Sequence, residues 1–142
     1  MGWLPKQNVV VPCDFSDESI TAIDTALEMV GSPGQVHVIH VLPELSAGEP
    51  GVVWGTIDDA SRRDHATAAL EDLLSDEKHQ GVDILIAFGS PGHEVVEYAQ
   101  TTNADLVVMP SHGRTGISRL LIGSVAERVV QLSHCPVLVL RK

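Results

Sequence analysis

Five short apolar runs divide the chain, and amphipathic or polar segments separate them. Each run is nearly continuous and rich in β-branched residues rather than alternating with polar ones. This pattern is typical of parallel strands that are buried on both faces. The five predicted strands are Val9–Val11, Val36–Val41, Ile84–Ala87, Leu106–Met109 and Val137–Leu140.

The segments between the runs carry apolar residues at helical spacing and predict four helices. Ser16 is placed to cap the first helix, with Gly31 or Gly34 as its stop. Ser90 followed by Pro91 is typical of an N-cap with a first-turn proline, and it opens the third helix. The apolar positions of the four helices are Ile20, Ile23, Leu27 and Val30; Ile57, Ala60, Leu70, Leu73 and Leu74; Val95, Val96 and Ala99; and Val125, Val129 and Leu132.

The alternation of strands and helices predicts an α/β fold, an open parallel five-stranded sheet with helices on both faces. We expect the Rossmann-like strand order 3-2-1-4-5, in one domain over residues 1–142. Ligands of such sheets bind outside the carboxyl ends of the strands, where the strand order reverses. The loops at that edge are Pro12–Asp17, Pro43–Thr56 and Pro110–Ile122, after the first, second and fourth strands.

The negative charge of the chain disfavours some classes of binding partner. Its 142 residues carry a formal net charge of −10 and a pI of about 4.9, which disfavours nucleic acids and anionic membranes. No apolar run reaches the roughly 18 residues that a membrane span needs, and the first residues do not form a signal peptide. We therefore expect a cytoplasmic protein. A local nest of backbone N–H groups can still bind ATP within an acidic protein.

Common catalytic and metal-binding patterns are missing. The sequence has no Gly-x4-Gly-Lys-[Ser/Thr], no Gly-x-Gly-x-x-Gly after the first strand and no Gly-x-Ser-x-Gly. This disfavours Walker-type NTPases, NAD-binding Rossmann domains and α/β-hydrolases. His37 and His40 are three apart on a strand and would point to opposite faces, while His93 and Glu94 are adjacent without a second ligand at helical spacing. The sequence predicts neither a metal site nor a catalytic residue.

The two cysteines are too few for a disulfide framework. The predicted fold places Cys13 after the first strand and Cys135 before the last, at opposite ends of a parallel sheet. We therefore expect no bridge between them. Cys13 has two interpretations, a reactive thiol beside a phosphate site or a small loop residue.

The loop after the fourth strand is the strongest candidate for ligand binding. It follows Met109 and contains two glycines before a Gly-Ser at the predicted start of the last helix. Glycine lets a backbone approach a ligand closely, and free N–H groups at a helix start attract phosphate. His112 and Arg114 either add positive charge or are solvated loop residues. The small residues, which are ordinary turn and cap residues in the alternative interpretation, are Gly113, Gly116, Gly123 and Ser124.

Asp14 follows the first strand at the same edge of the predicted sheet. One interpretation has its carboxylate bind a ribose hydroxyl or Mg²⁺. In the other, the carboxylate accepts hydrogen bonds in a local turn or helix cap. Its place in the same crevice as the glycine loop favours the ligand-binding interpretation.

These residues resemble the universal stress protein family. ATP-binding members of that family carry Gly-x2-Gly-x9-Gly-[Ser/Thr], and Gly113, nine residues and then Gly123–Ser124 match its later parts. Pro110 stands at the position of the first glycine. The resemblance covers nearly the whole chain. By position it implies a nucleotide site formed by Pro12, Cys13, Asp14, Val41, Met109, Pro110, Gly113, Arg114, Gly123, Ser124 and Val125.

The resemblance implies a regulatory or signalling protein of the stress response. Its cofactor would be ATP or a related adenine nucleotide, with or without Mg²⁺. Pro12, Asp14 and Val41 would hold the adenine and the ribose. The glycine loop, Ser124 and Val125 would hold the phosphates or close the pocket.

Pro110 leaves three functional hypotheses open, because a proline has no N–H and a fixed φ. In the first, the protein is a nucleotide-binding homodimer joined through its edge strand Val137–Leu140, and the lost donor weakens ATP binding by about tenfold to a hundredfold. In the second, Pro110 disables the pocket and leaves a nucleotide-free dimeric interaction module. In the third, His112 or Ser124 lies near the γ-phosphate of a slow ATP hydrolase or phosphotransferase.

Overall fold

The computed structural model describes residues 2–45, 58–111 and 123–141. It confirms the predicted architecture, a five-stranded parallel sheet in the order β3-β2-β1-β4-β5 with helices against both faces. The strands are β1 Val9–Pro12, β2 Val36–Leu42, β3 Asp83–Phe88, β4 Leu106–Pro110 and β5 Val137–Leu140. The helices are α1 Asp17–Leu27, α2 Asp59–Leu73, α3 Pro91–Thr101 and α4 Ser124–Leu132.

The sheet opens between β1 and β4. β1 pairs with β2 along its whole length, but it pairs with β4 only at Val9↔Leu106 and Val10↔Val107. The chain order reverses at this boundary, since β2 and β3 lie on one side of β1 and β4 and β5 on the other. Beyond Val107 the two strands separate and leave the crevice in which α/β proteins of this kind bind their ligands.

Alternation of side chains divides the core between the two faces of the sheet. The cluster beneath α1 and α2 includes Val9, Val11, Val38, Leu106, Val108, Ile23 and Leu70. The cluster beneath α3 and α4 includes Val10, Ile39, Val107, Met109, Val95 and Val129. Because both faces are covered, the strands need apolar residues at most positions, which explains the nearly continuous runs in the sequence.

Predicted helix starts are confirmed at α1 and α3. The Ser16 side chain caps α1 by accepting the backbone N–H of Ser19 at 3.1 Å. Ser90 stands at the N-cap of α3, with Pro91 in the first turn. α2 is capped by Asp58, whose carboxylate accepts a first-turn N–H at 2.7 Å. Such caps supply acceptors for N–H groups that have no partner inside the helix.

The predicted end of α1 is wrong. The helix stops at Leu27 rather than at Gly31 or Gly34. The reason is tertiary, because Val30 leaves the helix and forms an isolated parallel bridge with Lys6. Pairing with the N-terminal segment therefore overrides the helical spacing that continues through Val30.

α4 packs the predicted residues Val125 and Val129 in the cluster beneath α3 and α4, but not the predicted Leu132. Its buried residues are Ala126 and Val129, whereas Leu132, the last residue of the helix, is 47% exposed. Val130 is 49% exposed, so α4 leaves apolar surface uncovered. None of the helices in the described part of the chain is long and apolar enough to cross a membrane.

Candidate functional site

Apolar side chains at the carboxyl ends of β2 and β4 and in the first turn of α4 pack together on one face of the sheet. Val41 on β2, Met109 on β4 and Val125 in the first turn of α4 pack in the same hydrophobic cluster. Pro12 lies two residues after Val10 of this cluster, so the alternation of β1 directs it to the same face. We call Val41, Met109 and Val125 the apolar floor. Such a surface suits the flat face of a nucleobase.

The Asp14 carboxylate closes the turn between β1 and α1. Its Oδ1 accepts hydrogen bonds from Ser16 N at 3.1 Å, Ser16 Oγ at 2.5 Å and Ser19 Oγ at 2.6 Å. The backbone N–H of Asp14 in turn donates to Ser19 Oγ at 3.2 Å. The turn-and-cap interpretation of Asp14 is therefore confirmed for Oδ1, while its predicted contact with a ribose stays a prediction.

Cys13 is a buried residue of the same turn. It is 4% exposed, and its thiol belongs to the cluster beneath α1 and α2. Burial raises the pKa of the Cys13 thiol, and the nearby charge of Asp14 raises it further. A protonated, enclosed thiol is a poor nucleophile, which favours the small-loop-residue interpretation. Cys13 and Cys135 are both free.

The sequence interpretation missed His40 and Phe15, which hold this turn from the β2 side. His40 Nδ1 lies 2.7 Å from the Cys13 carbonyl oxygen, and the His40 and Phe15 ring centroids are 4.6 Å apart. Phe15 has a φ of 67°, in the left-handed region that residues with a bulky side chain rarely adopt. Nothing in the sequence signals this conformation, because glycine or asparagine is the residue expected there.

Pro110 is the last residue of β4. The neighbouring residues of the strand show where a backbone N–H at position 110 would have pointed. On the same strand, Val107 N and Ser111 N donate to the carbonyls of Pro136 and Leu140, at 3.0 and 2.9 Å, toward β5. Successive N–H groups of a strand point to opposite sides, so an N–H at position 110 would point toward β1. Because β1 has already separated from β4 there, the absent donor would have pointed into the crevice.

The Pro110 ring faces away from the apolar floor. Position 110 alternates with Met109 and so shares its face with Val108, which belongs to the cluster beneath α1 and α2. A cavity of about 330 Å³ lies on that side. It is lined by Asp17, Glu18, Thr21, Pro110, Leu140 and Arg141.

Within the described residues, no side chain caps the N-terminus of α4. Its N-cap residue is Gly123, with φ −68° and ψ 160°, which offers no side-chain acceptor. The Gly123 N–H already donates to the Ser111 carbonyl at 2.6 Å, so it is not a free donor. Of the backbone N–H groups predicted to bind phosphate around Gly123 and Ser124, those of residues 124–126 in the first turn remain as candidates.

Part of the predicted phosphate loop lies outside the described residues. Gly113 and Arg114 are among these, as are His112 and Gly116. Their roles remain predictions. The described members of the predicted site surround the open end of β1 and β4, with Cys13 and Pro110 on one face and the apolar floor on the other.

One interpretation of possible metal ligands is corrected. His93 and Glu94 were expected to lack a further ligand at helical spacing, but Glu97 lies one turn along α3. Ligand atoms of these three residues lie within 4.8 Å of one another, and His93 Nε2 is 3.3 Å from Glu97 Oε2. Both partners of that contact are exposed, as in an ordinary i,i+4 surface pair.

The sheet order and the crevice at the β1–β4 boundary define an α/β protein of the Rossmann-like class. The model of the universal stress protein family matches residues 6–141, and the chain belongs to that family. It is 36% identical to the universal stress protein MJ0531 of Methanocaldococcus jannaschii, over 96% of this chain and 82% of the relative.

Solved structures share the fold. The hypothetical protein MJ0577 of Methanocaldococcus jannaschii has a TM-score of 0.77 and 25% identity, covering 98% of both chains. Two further universal stress proteins were solved with adenine nucleotides, one with cAMP and one, from Archaeoglobus fulgidus, with dAMP. Both have a TM-score of 0.62 and cover 96% of this chain and 98% of their own, at 22% and 23% identity.

Proposed function

We propose that this protein binds ATP or a related adenine nucleotide, with or without Mg²⁺, in the crevice between β1 and β4. It would act as a cytoplasmic, regulatory homodimer in the stress response. The observation that carries the proposal is an apolar floor that adjoins the N-terminus of α4, where the N-cap glycine offers no side-chain acceptor. Val125 belongs to both, since it packs in the floor and lies in the first turn of α4. A base on the floor would therefore have its phosphates near the α4 N–H groups.

The cAMP and dAMP complexes support the choice of an adenine nucleotide. Both relatives share the sheet and the order of elements with this chain. The two ligands, cAMP and dAMP, share the adenine, a five-membered sugar ring and one phosphate, and differ at the 2′-hydroxyl and in the cyclisation of the phosphate. The features proposed for this chain, an apolar floor and helix N–H groups, fit that common part of the ligand.

Pro110 is expected to weaken binding without abolishing it. Its ring faces the cavity beside α1, so it does not fill the space above Met109. What the ligand loses is one backbone donor into the crevice. Such a loss corresponds to about tenfold to a hundredfold in affinity.

The outer edge of the sheet supports the homodimer. β5 pairs with β4 on one side, and within the described residues no strand pairs with its other edge. All four residues of β5 are only partly buried. The exposed Val130 and Leu132 of α4 add apolar surface to the molecule. An unpaired apolar edge strand favours pairing with a second chain.

Calorimetric titration tests the nucleotide proposal. Purified protein, first checked by absorbance for bound nucleotide, is titrated with ATP and with AMP, each with and without Mg²⁺. Pro110→Gly is expected to bind ATP about tenfold to a hundredfold more tightly than the wild type. Pro136→Gly is the matched control, because it removes a proline that directly precedes β5, at the strand-start side of the sheet away from the crevice, and should leave affinity unchanged.

Other outcomes would select the alternative functions. A folded dimer in which neither the wild type nor Pro110→Gly binds millimolar nucleotide would favour the nucleotide-free interaction module. Slow release of ADP that disappears in Ser124→Ala would favour the hydrolase. Size-exclusion chromatography with light scattering, run on the same samples, measures whether the protein is a dimer.

A further inference from the structure

The turn that follows β1 adopts a conformation its residues do not favour locally. Phe15 lies in the left-handed region, with φ 67°. Apart from Phe15, the non-glycine residue with a positive φ in the described chain is Asn103, whose side chain tolerates that region. A phenylalanine persists there only if its surroundings hold it, and such positions concentrate at functional sites.

The surroundings that hold the turn come from two directions. On the α1 side, Asp14 Oδ1 is bonded to Ser16 and Ser19. On the β2 side, both polar backbone groups of Cys13 are bonded, its N–H to the Ile39 carbonyl at 2.8 Å and its carbonyl to His40. Because a carbonyl only accepts, His40 Nδ1 carries the hydrogen of this 2.7 Å bond.

His40 also holds the unusual residue itself. Its ring packs at 4.6 Å and 59° to the ring of Phe15, which in turn packs against the cluster beneath α1 and α2. One side chain of β2 therefore fixes the residues before and after Asp14. We call the His40 contacts to Cys13 and Phe15 the β2 clamp.

The β2 clamp is attached directly to the proposed nucleotide site. The residues flanking His40 are Ile39 and Val41, and both pack on the opposite face of the sheet, where Val41 is part of the apolar floor. β2 thus sets the floor with one face and the turn carrying Asp14 with the other. A shift of the turn would move Pro12 and Asp14 relative to Val41.

We propose that His40 is a positioning residue of the nucleotide site, acting through the Cys13 carbonyl and the Phe15 ring rather than by touching the ligand. This inference rests on the proposed function. The two parts of the clamp are separable. His40→Asn keeps a donor near the position of Nδ1 and loses the ring, whereas His40→Phe keeps a ring and loses the donor.

The test combines ATP titration with amide chemical shifts of the turn. His40→Phe should bind ATP about tenfold more weakly than the wild type and shift the Asp14 and Ser16 amide signals. His40→Asn should restore much of the affinity and of the wild-type shifts. His37→Phe is the matched control on the same strand, since His37 bonds Asp83 and Asn8 instead of the turn. It should lower the melting temperature while leaving ATP affinity within about twofold of the wild type.

Failure of this inference differs from failure of the proposed function. If the wild type binds ATP and His40→Phe binds it equally well, His40 does not position the site. Equal weakening by His37→Phe and His40→Phe would also overturn the inference, since general destabilisation would then explain both. A wild type that binds no nucleotide would overturn the proposed function and this inference together.

Discussion

The N-termini of α1 and α4 lie at the same edge of the sheet but are built in opposite ways. α1 is capped by Ser16, and Asp17 and Glu18 place two carboxylates in its first turn. The N-cap residue of α4 is Gly123, which has no side chain to cap the helix, and the first acidic residue of α4 is Glu127, in its fourth position. The first-turn N–H groups of α1 are therefore partly bonded and surrounded by negative charge, whereas the N-cap residue of α4 offers its first-turn N–H groups no side-chain acceptor.

This difference indicates separate roles for the N-terminus of α1 and the N-terminus of α4. Phosphate binding at the first helix of a Rossmann-like fold uses a glycine-rich turn after the first strand, which is missing here. In this chain that turn holds Asp14, Phe15 and Ser16 and is closed by its own hydrogen bonds. The turn after β1 is thus suited to shape one wall of a site, and the start of α4 is suited to receive an anion.

Capping α4 in the manner of α1 should produce the largest effect. Gly123 has φ −68°, which any residue adopts, so Gly123→Asp imposes no backbone strain and would place a carboxylate at the N-cap. That carboxylate would occupy first-turn N–H groups and repel phosphate. We expect ATP affinity to fall by about a hundredfold in calorimetry.

The matched control is Gly123→Ala, which adds a methyl group but no acceptor. It should retain most of the affinity, because the first-turn N–H groups remain open. Unchanged ATP binding by Gly123→Asp would mean that α4 does not receive the phosphates. The contrast between the two helix starts would then have no functional meaning.

A substitution at Gly92, where α3 packs against α4, should have a smaller effect than Gly123→Asp. A Cβ at Gly92 would lie 2.7 Å from Arg128 Cδ and 2.9 Å from Arg128 Cβ, so Gly92→Ala must push the two helices apart. We expect a loss of about 1–3 kcal/mol in the free energy of unfolding, measured by urea denaturation. Gly31→Ala is the control, since its nearest contact would be Gln35 Oε1 at 3.6 Å. Gly92→Ala should also weaken ATP binding if α4 must be held in place.

Removal of the Ser16 cap at the start of α1 should lower the free energy of unfolding. Ser16→Ala removes the acceptor for Ser19 N and a donor to Asp14 Oδ1. We expect a loss of about 1 kcal/mol in urea denaturation, the usual effect of removing an N-cap. Ser90→Ala at the start of α3 is a suitable comparison, because the Ser90 side chain makes no cap hydrogen bond and its loss should matter less. A larger loss from Ser90→Ala would contradict this account of the caps.

The sequence predicted the fold more fully than the site, for physical reasons. Strands buried on both faces leave continuous apolar runs, and caps such as Ser16 use residue types with a strong local preference, so both are visible in one sequence. Tertiary contacts are not visible in this way. The pairing of Val30 with Lys6 shortened α1, and the bond between Gly123 N and the Ser111 carbonyl removed one predicted donor.

The role of His40 was hidden for the same reason. On a strand it reads as one polar residue in an apolar run, and only the fold brings it to the Cys13 carbonyl. Phe15 gave no glycine signal for its left-handed backbone. Sequence patterns therefore predict the edge of the sheet at which a ligand would bind, while the shape of the turn after β1 depends on contacts between distant residues.

At the opposite edge of the sheet, where the strands begin, the contact between Tyr98 and Asp83 should affect stability and leave nucleotide binding unchanged. There Tyr98 OH donates to Asp83 Oδ2 at 3.2 Å, and burial together with the charge of Asp83 raises the pKa of Tyr98 from 10.0 to about 12. A tyrosine with a raised pKa contributes stability that is present below the unfolded value and is lost as the pH rises through the folded one. The wild type should therefore lose stability between about pH 10 and 12 in a way that Tyr98→Phe does not.

Thermal unfolding of both proteins between pH 8 and 12 measures this smallest effect, as a difference in melting temperature that narrows at high pH. Other groups titrate in the same range, but they are common to both proteins and cancel in the difference. A difference that is independent of pH would show that folding does not raise the pKa of Tyr98. ATP affinity at neutral pH should be equal in the two proteins, because Tyr98 and Asp83 lie at the strand-start edge, away from the crevice. A clear change in affinity would contradict the proposal that the ligand binds at the carboxyl ends of the strands and that the strand-start edge contributes only to stability.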